Sequence, residues 1–386
     1  MTTPARWVEN FVIGGGPAGA MAAIKLAEAG REVVLVEKET GPHDKVCGEF
    51  LSQEAIAYLG GVSVFPADLG AATIRSVRLY SGSRCAKSGL PFPALALSRR
   101  VLDAALLGRA AAAGCEVRQG AAVDQLTEHE TGWCAKLSGG ACLGARTVFL
   151  ASGKHDLRGW SRPRGTQSGL VGFKLHWRLS RAQIEAIRDS TDLFLFPGGY
   201  GGMLLVENQA ANLCLVVRRS MLRRHGGRRD LLAAIVSENR ELGRRLMGAE
   251  AMHARPLAIS PIPYGYLGSA SDGLWRIGDQ AAVIPSFTGD GISIALHSAS
   301  LATQMYLQGR TPHEYMSMLH GQLGRSMRLA TCLSRAMVTA PGRSAAPAVL
   351  SLVPGAMRCI AAATRIPRPA MDMVKRIPQG LKTAPV

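Results

Sequence analysis

Gly14, Gly16 and Gly19 stand in G-x-G-x-x-G spacing within the run Phe11-Val12-Ile13-Gly14-Gly15-Gly16-Pro17-Ala18-Gly19-Ala20. Each glycine answers a separate physical demand. The first permits a tight turn out of an apolar strand. The second lets the backbone approach a pyrophosphate, and the third lets a helix pack close to the sheet. Pro17 and Ala18 occupy the turn that opens this helix, whose unpaired N–H groups and dipole favour phosphate. Glu37 ends the next apolar run, near the distance of about 20 residues at which a carboxylate grips a ribose 2′-OH. Lys38 follows it directly. This combination specifies a dinucleotide site for an adenosine ribose lacking a 2′-phosphate. It leaves NAD and FAD open.

The elements that must position these residues are readable from periodicity. A helix is expected over residues 21–29 and a strand over 31–36. Residues 99–113 carry helical spacing at Val101, Leu102, Ala105 and Leu106. Residues 115–118 read as a strand, 122–126 and 133–137 as a small meander, and 147–151 as a buried parallel strand. A second lobe begins at residues 170–179, where Val171, Phe173, Leu175 and Trp177 alternate. Residues 193–196, 202–207 and 213–217 extend it as an antiparallel floor facing a ligand. Residues 230–246 read as one amphipathic helix with a solvated basic face of Arg240, Arg244 and Arg245. Strand character returns at 274–279, and a glycine turn with a long helix occupies 289–306. The chain beyond is helical, then irregular around Pro341, Pro347 and Pro354. The tail from Arg358 is expected to cap a lobe in preference to lying on a membrane.

Composition sets the outer bounds. The 386 residues are 47% apolar, enough for one large α/β unit with a second lobe. Residues 11–13 run straight into the glycine turn without a basic n-region and apolar h-region, so no signal peptide is expected. No transmembrane span is expected either. The eight cysteines never form a C-x-x-C pair, which speaks against a metal site and for a reducing, cytoplasmic setting. Net charge is +17 with only five tryptophans and no basic–aromatic interleaving. That argues against a nucleic-acid partner and leaves anionic substrates, carrier proteins or peripheral membrane contact open. Oligomeric state is not readable.

Two further segments join the glycine motif. Ser98-Arg99-Arg100-Val101-Leu102-Asp103 opens a helix, and Ile277-Gly278-Asp279-Gln280-Ala281-Ala282 precedes Pro285 and Gly289-Asp290-Gly291-Ile292. Together the three resemble the flavoprotein monooxygenase and geranylgeranyl reductase superfamily of p-hydroxybenzoate hydroxylase type, over about residues 10–310. The resemblance implies FAD. It also implies an α/β fold: a Rossmann-like FAD-binding domain (1–75, 98–165 and 270–310), an inserted antiparallel-sheet substrate domain (76–97 and 166–269) and a helical C-terminal cap (311–386). In such a fold Gly278 and Asp279 meet the ribityl or pyrophosphate region. Pro285, Gly289, Gly291 and Ile292 approach the isoalloxazine, where N–H groups stabilise the charge of reduced flavin. Arg99 contacts the pyrophosphate side, and Lys38, Val123 and Asp156 complete the cofactor shell. Leu157 replaces the glycine that follows the family's aspartate, which weakens the expectation of direct NAD(P)H use. Arg158 is a candidate for holding pyrophosphate or NAD(P)H.

Lys45-Val46-Cys47-Gly48-Glu49-Phe50 resembles a segment of the reductase branch. Cys47 lines the active site or is a small buried apolar residue, and Glu49 orients the loop or serves as an acid. Pro197 and Tyr200 match a Pro…Tyr…Trp…Phe-Pro pattern of that branch, with Gly202 at the tryptophan position and Leu204-Leu205 at the Phe-Pro position. Candidate catalytic residues are therefore Cys47, Glu49 and Tyr200. Phe173, Leu175, Tyr200, Met203 and Leu205 are expected to line the substrate pocket. The first reading is an FAD monooxygenase that uses NADPH or NADH and O2, through a C4a-hydroperoxyflavin, to oxidise an aromatic or unsaturated lipophilic metabolite. The alternative is a flavin-dependent reductase of isoprenoid or other alkene double bonds. Halogenation and a non-catalytic flavin-binding partner are minor alternatives.

Overall fold

The structure is a computed structural model. It describes residue 4 and residues 6–167, 169–269, 272–353 and 355–375. Residues 376–386, the end of the expected cap, lie outside the described residues.

The N-terminal apolar run forms β1 (Arg6–Ile13), and the glycine turn delivers the chain into α1 (Pro17–Glu28) and β2 (Val33–Glu37). A loop over 38–49 leads to β3 (Phe50–Leu51), α2 (Gln53–Gly60) and the hairpin of β4 (Ala72–Ser81) and β5 (Arg84–Ala96). Ser98 then caps α3 (Arg99–Ala112) by accepting from the Val101 N–H. That bond satisfies one of the helix's orphan donors. There follow β6 (Glu116–Gln119), β7 (Val123–His129), β8 (Gly132–Leu137) and β9 (Cys142–Leu150). The second lobe holds β10 (Leu170–Arg178), α4 (Arg181–Ile187), β11 (Ser190–Phe196), β12 (Gly199–Leu205) and β13 (Ala211–Arg218). It continues through α5 (Arg219–Arg224), α6 (Arg228–Glu238), α7 (Arg240–Leu246), β14 (Glu250–Ala251) and β15 (Leu257–Ile259). The chain returns through β16 (Tyr266–Leu267), β17 (Trp275–Arg276) and β18 (Ala282–Val283) into α8 (Gly291–Leu307), α9 (Pro312–Met337), α10 (Ala340–Leu352), α11 (Ala356–Ala363) and α12 (Arg368–Lys375).

The first sheet runs β6-β2-β1-β9-β8-β7, with β17 continuing on β9. Strands β6, β2, β1, β9 and β17 are mutually parallel, and β8 and β7 form the antiparallel meander. Both faces of the parallel part are covered. Val12, Leu35 and Phe149 pack toward α1, α3 and α8, while Phe11, Val34 and Val148 pack under the meander with Leu126 and Trp133. This explains why β1, β2 and β9 read as nearly continuous apolar runs. The second sheet runs β14-β10-β13-β12-β11-β4-β5-β3, with β15 beside β10. It is mixed: β11 lies parallel to β4, and its other pairings are antiparallel.

Three local expectations are corrected. Residues 230–246 form two helices because Asn239 is extended and its side chain accepts from the Leu242 N–H at 3.1 Å, starting α7 afresh. Arg245 is not on a solvated face. It is buried against Asp192 at 3.2 Å and Glu241 at 2.8 Å. The stretch around Pro341 and Pro347 is helical, as α10, with Pro341 in the first turn where no N–H partner is lost. The C-terminal helices pack as a cap: α10 and α11 against β5, α12 against α8. No single helix among the described residues is long and apolar enough to cross a membrane.

Candidate active site

A cavity of about 490 Å³ opens between the two sheets. One end is built by the glycine turn. A Cβ on Gly14, whose φ is +107°, would stand 2.5 Å from the Ala151 carbonyl oxygen, and one on Gly19 would stand 1.9 Å from that of Gly14. Gly14, Gly16, Pro17 and Ala18 line the cavity. Gly19 does not, because it is spent on seating α1 against the turn. No side chain caps α1, so its first N–H groups face the cavity without a protein partner. Glu37 is buried and accepts from the Gly15 N–H at 2.8 Å, with Lys45 Nζ at 3.6 Å. Lys38 and Val123 line the same end.

The middle is cationic. Arg99 is locked to Asp103 by two 2.7 Å bonds, and Lys45 reaches the same carboxylate at 3.2 Å. Lys154 bonds Asp279 at 2.8 Å. Burial pushes the Asp279 carboxyl upward, but Lys154, Arg162 and Arg99 outweigh it and hold it below its ordinary value. Asp156 lines the cavity and pairs with Arg162 at 2.7 Å, whereas Arg158 is exposed and does not line it. At the far end Gly278, Gly289, Gly291 and Ile292 line the wall, while Pro285 only starts the turn that brings Ser286 there. Gly289 has φ +73°, and a Cβ on it would meet Phe50 at 2.6 Å. The N-terminus of α8 carries no side-chain cap and points the same way. A narrow glycine channel, two uncapped helix N-termini and a carboxylate at the β2 end fit a flavin dinucleotide laid across the strand ends.

The loop bearing Cys47 forms one wall. Cys47 Sγ accepts from the Glu49 N–H at 3.3 Å, and the Cys47 carbonyl accepts from Asn212 Nδ2 at 3.0 Å. Glu49 is wholly buried and left-handed, at φ 59°. Such a backbone costs on the order of 1 kcal/mol and persists where bonds over-determine it. Here Glu49 receives Lys174 Nζ, His176 Nε2 at 2.8 Å and the Arg99 N–H at 2.8 Å. Its carboxylate thereby accepts three hydrogen bonds, two from β10 and one from the start of α3.

The expected substrate wall is corrected. Phe173, Met203 and Leu205 point away from the cavity into the core under α6 and α7, with Leu213, Leu231 and Leu242. Leu175 shares their side of β10 by alternation. Burying large apolar side chains there stabilises by roughly 1.5–3 kcal/mol each. The opposite face therefore turns to the cofactor side with Lys174 and His176 paired to carboxylates. Gly172, Cys214, Val216 and Ile259 of the second sheet, with Ile262 and Tyr264 of the segment that follows β15, supply the actual cavity wall. Tyr200 is on the cavity-facing side but buried behind this wall, its hydroxyl 3.3 Å from Ser286 Oγ. Sequence reasoning missed Asp44, Lys45, Lys154, Arg162 and Lys174. Two polar residues at i and i+2 in an otherwise apolar strand, Lys174 and His176, were the available signal.

The residues 8–148 match the model of an FAD binding domain family. The chain is 30% identical over 316 residues to a digeranylgeranylglycerophospholipid reductase of Methanoculleus marisnigri, covering 76% of this chain and 75% of that one. The chain belongs to the superfamily of p-hydroxybenzoate hydroxylase-like FAD-binding flavoproteins that includes the geranylgeranyl reductases. This flavoprotein is also 27% identical over 321 residues to a menaquinone reductase of Mycolicibacterium smegmatis, covering 77% of this chain and 76% of that one. Its fold is shared with a geranylgeranyl bacteriochlorophyll reductase-like protein of Thermoplasma acidophilum, with a TM-score of 0.73, 18% identity and 96% of each chain covered. The flavoprotein is an FAD-dependent oxidoreductase.

Proposed function

We propose that this flavoprotein reduces carbon–carbon double bonds in an isoprenoid chain. The observation that carries the reading is the 30% identity, across three quarters of both chains, to a digeranylgeranylglycerophospholipid reductase. The similarity to a menaquinone reductase points likewise to a reduction on a lipophilic substrate. These relatives favour reduction over the oxygen insertion that the motifs alone placed first. The apolar wall of Val216, Leu257, Ile259 and Ile262 suits a lipophilic chain.

Bound FAD, once reduced by NADPH or NADH, would supply the hydride for one alkene carbon. The chain's own tasks are then separable. Gly14 and Gly16 let the backbone meet the pyrophosphate, and Glu37 orients the adenosine ribose. Lys154, Asp279 and Arg99 set the charge along the middle. The uncapped N-terminus of α8 would face the flavin ring and stabilise negative charge there. The second alkene carbon needs a proton. Cys47 Sγ, at the cavity wall, is the group we assign to hold it, with Glu49 as the positioning residue that fixes the loop. Tyr200 braces the wall through Ser286. The exposed Val349, Leu352 and Val353 at the end of α10, on a chain of net charge +17, suit peripheral contact with an anionic lipid surface.

The test is product mass. Incubation with NADPH and a digeranylgeranylglycerophospholipid is expected to add two hydrogens per double bond. Cys47→Ala is expected to lower the rate by about 100-fold, in the range of general acid catalysis, while retaining bound FAD. Oxygen from labelled dioxygen in the product would return the monooxygenase reading.

A further inference from the structure

Asp44, His176 and His253 converge on one point behind the Cys47 loop. They come from three distant segments: the 38–49 loop, β10, and the turn after β14. The backbone fixes their approach. β14 pairs with the end of β10, Trp177 opposite Ala251, and the Met252 N–H donates to the His176 carbonyl at 2.8 Å. This places the His253 ring 6.0 Å from the His176 ring. Asp44 Oδ2 lies 3.3 Å from His253 Nε2, and Asp44 Oδ1 lies 3.7 Å from His176 Nδ1. All three ligand atoms fall within 4.8 Å of one another. Ligand atoms 2.0–2.2 Å from a tetrahedral ion stand about 3.3 Å apart, so the separation of Asp44 Oδ2 from His253 already fits, and bringing His176 to the same oxygen needs a small side-chain rotation.

The hydrogen bonding leaves one acceptor facing another at this point, although Arg100 also reaches Asp44 Oδ2 at 3.4 Å. His176 Nε2 faces the Glu49 carboxylate at 2.8 Å and must donate to it. In the neutral ring Nδ1 is then a bare lone pair, and it faces a second acceptor, Asp44 Oδ1. That oxygen is buried and accepts no hydrogen bond, and the Asp44 side chain is only 8% exposed. Lys174 stands 3.6 Å from it but is bonded to Glu49. A carboxylate behind a histidine, fixing its tautomer and orientation, is the arrangement that surrounds metal-bound imidazoles.

We propose that Asp44, His176 and His253 bind a divalent transition cation of the zinc class, through one carboxylate oxygen and two imidazole nitrogens. Two nitrogens and one oxygen favour zinc, cobalt or iron over calcium or magnesium. The ion fastens the 38–49 loop, and with it Cys47, to β10 and the β14 turn. Glu49 acts from behind His176 as a positioning residue. The site is independent of which reaction the flavin performs.

The experiment uses tag-free, FAD-loaded full-length protein stripped with chelator and titrated with Zn²⁺ by calorimetry and with Co²⁺ by absorbance. One Zn²⁺ per chain is expected, with a Co²⁺ spectrum of nitrogen and oxygen ligation. His253 is at the surface, its side chain 39% exposed, so His253→Ala is expected to fold normally and, having lost a direct ligand, to show no stoichiometric Zn²⁺ binding at concentrations that saturate the wild type. Asp44→Asn is expected to do the same, and Zn²⁺ is expected to raise the unfolding temperature of the wild type but of neither variant. Absence of stoichiometric Zn²⁺ binding overturns the site. Binding unchanged in His253→Ala, or a thiolate-to-cobalt charge-transfer band, assigns the metal elsewhere and overturns it equally.

Discussion

A methyl group on Gly19 would stand 1.9 Å from the Gly14 carbonyl oxygen, so the α1 seat cannot accept one. Gly19→Ala is expected to weaken FAD binding by about 2 kcal/mol or more, read as loss of yellow colour on desalting. A different residue governs acid sensitivity. His297 is buried between Tyr58 OH at 2.6 Å and Gln322 Oε1 at 2.8 Å. Burial lowers it from 6.5 to about 4. The unfolded chain therefore binds a proton that the folded one refuses between those values. Stability is complete above pH 6.5, falls as pH drops toward 4, and loses roughly 3 kcal/mol over that window. Urea unfolding at several pH values checks this. His297→Gln should flatten the dependence in that window, and an equally steep fall in the variant would move the cause to other groups.

At the scale of elements, the turn before α8 is held by the C-terminal cap. Arg365, after α11, bonds Asp290 Oδ1 at 2.6 Å, reaches the Thr288 carbonyl, and lies 4.5 Å over the Phe92 ring. Burial raises Asp290 to about 7 despite Arg365. Its ordinary value is 3.8, so the contribution of Asp290 to stability is greatest at low pH and declines as pH rises toward 7. Arg365→Met removes the counter-charge and leaves the carboxyl harder still to ionise. The variant is expected to lose about 3 kcal/mol, with the deficit against wild type widening above pH 7. Adding Asp290→Asn should abolish that widening, and thermal melts across pH 6–9 check both. The same turn shows what was legible in the sequence. Gly14 and Glu37 announced themselves because local backbone geometry and short-range spacing dictate them, whereas Asp279 and Gly289 were readable only through the resemblance to a known family. The facing of β10 and β12 did not. Alternation marks Val171 and Phe173 as one face, but whether it meets the cofactor or a core depends on α6 and α7, far along the chain. Arg365 was unreadable for the same reason: its partner lies 75 residues away.

At the scale of the whole molecule, charge and an apolar tip combine. Val349, Leu352 and Val353 are 53%, 81% and 52% exposed. Vesicles of anionic phospholipid are expected to retain the protein at low salt and to release most of it as salt screens its +17 net charge. Leu352→Ser with Val353→Ser should cut retention several-fold while leaving FAD content unchanged; equal retention by the variant would place the contact elsewhere. The two lobes together present a glycine-lined cofactor channel to an apolar wall, and that arrangement by itself serves several flavin chemistries. The decision between them rests on what the reduced enzyme reacts with. The protein, reduced with NADPH under anaerobic conditions, would be mixed with a polyprenyl alkene lipid, and the return of oxidised flavin absorbance followed. Reoxidation by the alkene without oxygen, with one double bond saturated per flavin, is the predicted result. Flavin that stays reduced with the lipid until air is admitted, and then places oxygen in the product, would contradict it.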